Sequence, residues 1–147
     1  MALPDGPLLA CALAEPVATW LARIAAPALE AELGSPLVAV RTGPGYECRG
    51  RNRQAGGKPS AHAAGRALDV ASFELADKRV LPISAMPAAG SAVGRAGEAA
   101  GVLQALRISA CGWFTTVLGP GSDAFHADHL HVDIERRGSS DRYRICE

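Results

Sequence analysis

The sequence predicts a single α+β domain, a small antiparallel sheet with helices packed on one side. Three observations carry that expectation. The chain has 147 residues, enough for one domain with a real core. Its Ala- and Leu-rich beginning places apolar residues at helical spacing, whereas the later apolar runs are short and bounded by Gly and Pro. Helical and strand patterns are thus segregated along the chain, as in α+β domains.

From about Leu8 to Leu33, Leu13, Val17, Trp20, Leu21, Ile24 and Leu29 fall near helical spacing. Pro16 and Pro27 lie inside this stretch, and each is expected to break or restart a helix. The spacing therefore predicts two consecutive helical pieces, stopped by Gly34, with Trp20 in the core. Leu37–Val40 is a strand candidate leading into the turn Thr42-Gly43-Pro44-Gly45. Residues 49–59 read as a polar surface loop. Ala67–Leu75 reads as a strand, with Arg79–Ile83 as its hairpin partner across Ala76-Asp77-Lys78. An Ala/Gly/Pro-rich loop, 86–97, runs into a helix near Arg95–Arg107. Trp113–Leu118 is a strand stopped by Gly119-Pro120-Gly121, and His129–Glu135 is the last strand. The polar tail from Arg136 onward is expected to be tethered only through Cys146.

Composition removes several function classes. Fifteen basic residues balance 15 acidic ones, so nothing in the composition suggests a nucleic-acid binder, whose usual mark is a strongly basic face. The short run Arg49-Gly50-Arg51-Asn52-Arg53 reads either as a solvated loop or as a contact for an anionic substrate. No apolar run approaches the ~20 residues of a membrane span. No basic segment precedes the first apolar residues, so an exported protein would have lost its signal already. Cys11, Cys48, Cys111 and Cys146 are widely spaced, with no C-x-x-C pair. Such a set reads as two disulfides in an oxidising compartment, with four buried thiols as the alternative. Three connectivities are possible; Cys11–Cys48 with Cys111–Cys146 is the expected one.

Three of the four histidines fall within six residues: His126, His129 and His131. In a strand, alternate residues share a face. His129, His131 and Asp133 then point one way, while Leu130, Val132 and Ile134 point to the core. Three ionisable groups in a row are more than a structural strand needs. The fourth histidine, His62, precedes Asp69, which shares its face with the small residues Ala67 and Ala71. Metal ligands must converge to within ~3–4 Å, since each bond is about 2 Å. A strand or helix would hold His62 and Asp69 much farther apart, so the chain must turn back between them. Gly65 allows the turn and Ser60 can brace it. Two imidazoles and a carboxylate leave one tetrahedral position for water, the catalytic pattern of a divalent metal site, with zinc favoured.

These motifs resemble a known family. Ser60-x-His62-x-x-Gly65-x-Ala67-x-Asp69 followed by His129-x-His131 is similar to the zinc superfamily of D-Ala-D-Ala carboxypeptidases, murein endopeptidases and hedgehog amino-terminal domains. More closely, Tyr46-x-Cys48-Arg49, Ser60-Ala61-His62, Ala67-Leu68-Asp69-Val70, Ala110-Cys111, Val117–Gly121 and His126–Asp133 resemble the bacterial extensin-like C-terminal domain family. The resemblance spans about Cys11 to Cys146, and its two histidine motifs are specific in combination. It implies a hedgehog/peptidase-like fold and a Zn2+ held by His62, Asp69 and His131. The spacing His126-x-x-His129-x-His131 is similar to that of penicillin-insensitive murein endopeptidases. Arg49 stands where carboxypeptidase relatives carry a substrate-holding arginine, and Ser60 is placed with it at the substrate. Those relatives have a glutamate base three residues before the last ligand; here that position is Asp128.

The implied reaction is zinc-assisted amide hydrolysis in peptidoglycan stem peptides or cross-links, by an exported, periplasmic monomer, endopeptidase ahead of carboxypeptidase. His129 is the expected base because it shares the face of His131, with Asp128 as its rival. His126 and Asp133 are expected to orient the imidazoles. A non-catalytic zinc module that binds the cell wall or a protein is the main alternative. A metal nuclease fits less well, because oxygen-rich sites serve that chemistry.

Overall fold

The N-terminal apolar stretch folds as one helical rod rather than two broken pieces. In the computed structural model, which describes residues 1–48, 50, 59–88, 97–136 and 143–147, α1 (Cys11–Trp20) passes through a π turn (Leu21–Ala25) into α2 (Ala26–Leu33). Pro16 lies inside α1 and does not end it. An interior proline costs about 3 kcal/mol. Leu13, Val17, Trp20 and Leu21 form a fully buried stripe around it, and each such side chain contributes about 1.5–3 kcal/mol. Burial of that stripe wins. Pro27 follows the π turn, where the Ala26 N–H donates to the Leu21 carbonyl five residues back. The wider turn absorbs the misfit that a proline ring imposes on the preceding carbonyls. Gly34 stops α2 as expected, with φ 68° and its N–H donated to Glu30 O at 2.9 Å.

Six strands follow: β1 (Leu37–Thr42), β2 (Ala67–Leu75), β3 (Val80–Pro82), β4 (Thr116–Leu118), β5 (Leu130–Asp133) and β6 (Ile145–Cys146). They form one sheet in the order β1-β2-β5-β4-β6, with β3 beside the far half of β2. The β2–β3 hairpin is as expected, and Lys78 at φ 72° makes its turn. The sheet is mixed rather than antiparallel throughout, because β6 runs parallel to β4. The tail is therefore held by main-chain pairing as well as by the Cys111–Cys146 disulfide. An unpaired β4 edge would leave backbone groups without partners, and Ile145–Glu147 supplies them.

Helix α3 spans Glu98–Ala110, three residues beyond its expected end; the expected start at Arg95 lies outside the described residues. β4 starts later than predicted because Trp113 still belongs to the turn that closes α3, and β5 is shorter at both ends. Cys11 and Cys48 are exposed free thiols, so the expected bridge between them is not made. Sequence spacing carries no information on the approach of Cβ atoms that a bridge requires. Cys111 and Cys146 have it, with Cα atoms 6.0 Å apart, because β6 returns alongside β4 just past α3.

One sheet face carries Leu68, Val70, Val117, Leu130 and Val132, and it joins α1, α2 and α3 in a single core. Trp20 is 1% exposed there and its Nε1–H donates to Ser109 Oγ at 3.0 Å. No helix among the described residues is long and apolar enough to cross a membrane. The other face carries Asp69, His131 and Asp133. Beside it, β2 carries a bulge: Arg41 pairs with Ser72 and Thr42 with Val70, which leaves Ala71 without a partner. The bulge lets both Val70 and Phe73 point inward while Asp69 and Ala71 stay on the open face.

Candidate metal centre

Strands β2 and β5 are neighbours, with Asp69 directly opposite His131 and Ala67 opposite Asp133. Directly paired residues project to the same side of a sheet. The alternation of each strand sends its apolar residues to the core and these groups to the other face. His62 arrives from the 3-10 turn Ala61–Ala64 that precedes β2. Ser60 caps this turn by accepting the His62 N–H at 3.3 Å. Gly65, at φ 64°, turns the chain back into β2. A Cβ there would also stand only 3.0 Å from the Ala10 backbone nitrogen.

The three side chains expected to converge do so. His62 Nε2 lies 3.3 Å from His131 Nδ1 and 3.3 Å from Asp69 Oδ1, and His131 Nδ1 lies 2.9 Å from Asp69 Oδ1. The outward nitrogen of each imidazole has its own acceptor. His62 Nδ1–H donates to the Gly45 carbonyl at 2.8 Å, and His131 Nε2–H donates to Asp133 Oδ2 at 3.4 Å. Asp133 is fixed in turn by the Thr115 hydroxyl and the Glu135 N–H. With the outer nitrogens protonated, both inner nitrogens can present lone pairs to the point that Asp69 faces. Ligand atoms of a tetrahedral zinc ion, each about 2 Å from it, stand roughly 3.3 Å apart. The triad fits such an ion.

Burial alone would push the Asp69 carboxyl up, but hydrogen bonds and charge from His131 and His62 hold it well below the usual carboxylate range. Asp133 is lowered in the same way, chiefly by His131 against burial. Burial lowers the His131 imidazole, yet the flanking Asp133 and Asp69 overcome it and raise its pKa to about 9. In the metal-free protein, a protonated His131 thus bridges two carboxylates. That stabilisation is complete below the ordinary histidine pKa of 6.5 and disappears as pH rises through 9. Metal-free protein should accordingly lose unfolding free energy across that window. Urea unfolding of the metal-free protein at pH 6 and pH 9.5 checks the sign; equal stabilities would contradict the bridge.

The chain as a whole matches the family model described as the extensin-like protein C-terminus, over residues 1–147. It belongs to that family. Searches of curated proteins and of solved structures give no match to it.

Beside the triad of this extensin-like domain stands His129, just ahead of β5, with Nε2 3.6 Å from Asp69 Oδ1. Its Nδ1 is 2.9 Å from Asp128 Oδ1. Asp128 and His129, expected as rivals, are arranged in series: the carboxylate holds the outer nitrogen and the inner one faces the triad. The Asp128 side chain is 81% exposed, and among the described residues its contact at the site is with the His129 imidazole. His126 is buried, and its ring centre is 5.2 Å from that of His129 and 5.6 Å from that of His131. Its Nδ1 is held at 2.7 Å by Asp123. Burial lowers its pKa more than Asp123 raises it.

Two parts of the site escaped the sequence reading. Asp123 was legible as an Asp capping a short turn, since its carboxylate accepts the Phe125 and His126 N–H groups as well. The Gly45 carbonyl carried no signal, because any residue has one. Ser60, expected at the substrate, is buried and used within the turn, and Arg49 lies outside the described residues. An open cleft of about 270 Å³ adjoins the triad, lined by Thr42, Gly43, Asp69, Ala71, Asp128 and His129.

Proposed function

We propose that this extensin-like domain is an exported zinc peptidase that hydrolyses amide bonds in peptidoglycan stem peptides or their cross-links, as an endopeptidase rather than a carboxypeptidase. The observation that carries the reading is the set of three inward-facing donor atoms, His62 Nε2, Asp69 Oδ1 and His131 Nδ1, with His129 Nε2 beside them and a cleft alongside. The resemblance of both histidine motifs to murein peptidases supports the substrate class. The Cys111–Cys146 disulfide supports an oxidising compartment.

His62, Asp69 and His131 hold the ion, and the Gly45 carbonyl and Asp133 keep the two imidazoles in the tautomers that ligation needs. Zinc bound there supplies a water of lowered pKa and polarises the scissile carbonyl. His129 Nε2 takes the proton of the attacking water and later gives it to the leaving amine. Asp128 fixes the His129 ring and steadies the imidazolium formed between those transfers.

Intact peptidoglycan incubated with the zinc-loaded protein should lose cross-linked or full-length stem muropeptides, and a chelator should prevent the loss. Chromatographic profiling of the digest reads this. Binding to the sacculus with an unchanged muropeptide profile would overturn the peptidase reading in favour of a non-catalytic zinc module.

A further inference from the structure

The first ten residues form an arm that runs along the outer edge of β1 before α1 begins at Cys11. Ala2 pairs with this edge: its N–H donates to the Val38 carbonyl at 2.9 Å, and its carbonyl accepts the Val40 N–H at 3.0 Å. Asp5 then accepts the Thr42 N–H at 3.0 Å and pairs with Arg41 at 2.8 Å. Farther along, the Leu8 carbonyl accepts the Tyr46 N–H at 2.7 Å, and the Ala10 N–H donates to the Gly65 carbonyl at 2.9 Å.

Residues 42–47 lie between this arm and the segments that carry the triad. The N–H groups of Thr42 and Tyr46 go to the arm. In the other direction, the Gly43 N–H donates to the Asp69 carbonyl at 2.8 Å and the Glu47 N–H to the His62 carbonyl at 3.2 Å. The Gly45 carbonyl accepts the His62 Nδ1–H. One short loop is thus bonded to the arm and to two of the three donor residues.

The arm is packed closely as well as bonded. A Cβ at Gly45 would collide with the Leu9 side chain and would stand 2.6 Å from the Leu8 carbonyl oxygen. One at Gly65 would meet the Ala10 nitrogen at 3.0 Å. Leu9 is itself partly buried against the core. Interiors packed at this density transmit a displacement rather than absorb it. A shift of Leu9 therefore moves Gly45, and with it the acceptor that orients His62.

We propose that the N-terminal arm is a positioning element of the metal centre, acting through residues 42–47, with Leu9 as its positioning residue. Arm docking and zinc binding are then one linked equilibrium. Docking raises the affinity for zinc by the same factor by which zinc favours the docked arm. The proposal rests on the zinc reading of the triad and not on which bond is cut.

Amide exchange of the intact chain, followed residue by residue by NMR with and without zinc, tests the linkage. Zinc should slow exchange at Ala10 and Tyr46 by about fivefold or more. It should slow Cys111, Gly112 and Trp113, in the turn that closes α3, much less. Protection confined to residues 61–69, or equal in the arm and in that turn, would overturn the proposal and leave the zinc reading standing. A chain that took up no zinc would remove both. In calorimetric titration, Leu9→Ala should bind zinc roughly tenfold more weakly. Asp5→Ala, which alters only an exposed anchor of the arm, should bind it roughly threefold more weakly. It decides the matter if Leu9→Ala does not fold. An arm that served stability alone would lower the urea midpoint in these variants and leave the zinc affinity of the folded protein unchanged. That result would overturn the proposal.

Discussion

The His131→Ala variant should purify without zinc and without hydrolytic activity. His131 contributes one of the three inward donor atoms, and its ring is clasped between Asp69 and Asp133. Deleting it leaves His62 and Asp69 alone on the ion, while Asp133, 2% exposed, loses the imidazole that balanced its charge. Loss of a supporting partner of a ligating histidine typically costs 10–100-fold in metal affinity, and loss of the ligand itself should exceed about 100-fold. Elemental analysis of the purified variant, with zinc titration monitored calorimetrically, measures the effect. Near-UV circular dichroism shows whether the core survives. A folded variant that retained one zinc per chain would overturn the ligand assignment.

The His129→Ala variant should behave differently: stoichiometric zinc, but kcat lower by roughly 10²–10⁴, the range that a positioned general base supplies. Its ring faces the triad from outside, with Nε2 at 3.6 Å from Asp69. Its removal therefore opens space without removing a donor. Asp128→Asn should lose less, because that exposed carboxylate contacts the His129 ring rather than the triad itself. The order of the two losses is the measurement that matters. Full activity in His129→Ala, or a larger loss in Asp128→Asn than in His129→Ala, would place the base on Asp128 instead.

Much of this was legible in the residues. Strand β2 spans Ala67–Leu75 as its pattern predicts, and the parity of Leu130, His131, Val132 and Asp133 sorted core from site before any fold was known. Period-2 alternation is a local property, so a strand with one buried face writes it directly into the chain. The turn forced on His62–Asp69 by metal-ligand distances was equally local, and Gly65 makes it.

Other features depended on neighbours that the chain meets only when folded. Pro16 was a breaker by rule, but the stripe formed by Leu13, Val17, Trp20 and Leu21 outweighed it once there was a core to enter. The parallel pairing of β6 arose because β4 presented an open edge, which no pattern within Ile145–Cys146 announces. Cys11 and Cys48 stayed apart because bridging is decided by Cβ geometry and not by spacing.

By itself the sequence brought forward His62, Asp69, His129, His131 and Asp133 as candidates, because ligand chemistry and strand parity constrain residue type and spacing. Only the tertiary structure decided how they are related. Asp69 faces His131 because β2 and β5 pair in that register. A main-chain carbonyl at Gly45 sets the His62 tautomer. Asp128 and His129 stand in series because both lie just ahead of β5, where the carboxylate reaches the imidazole. Such relations live in distances between segments far apart in the chain, and distance is what folding adds.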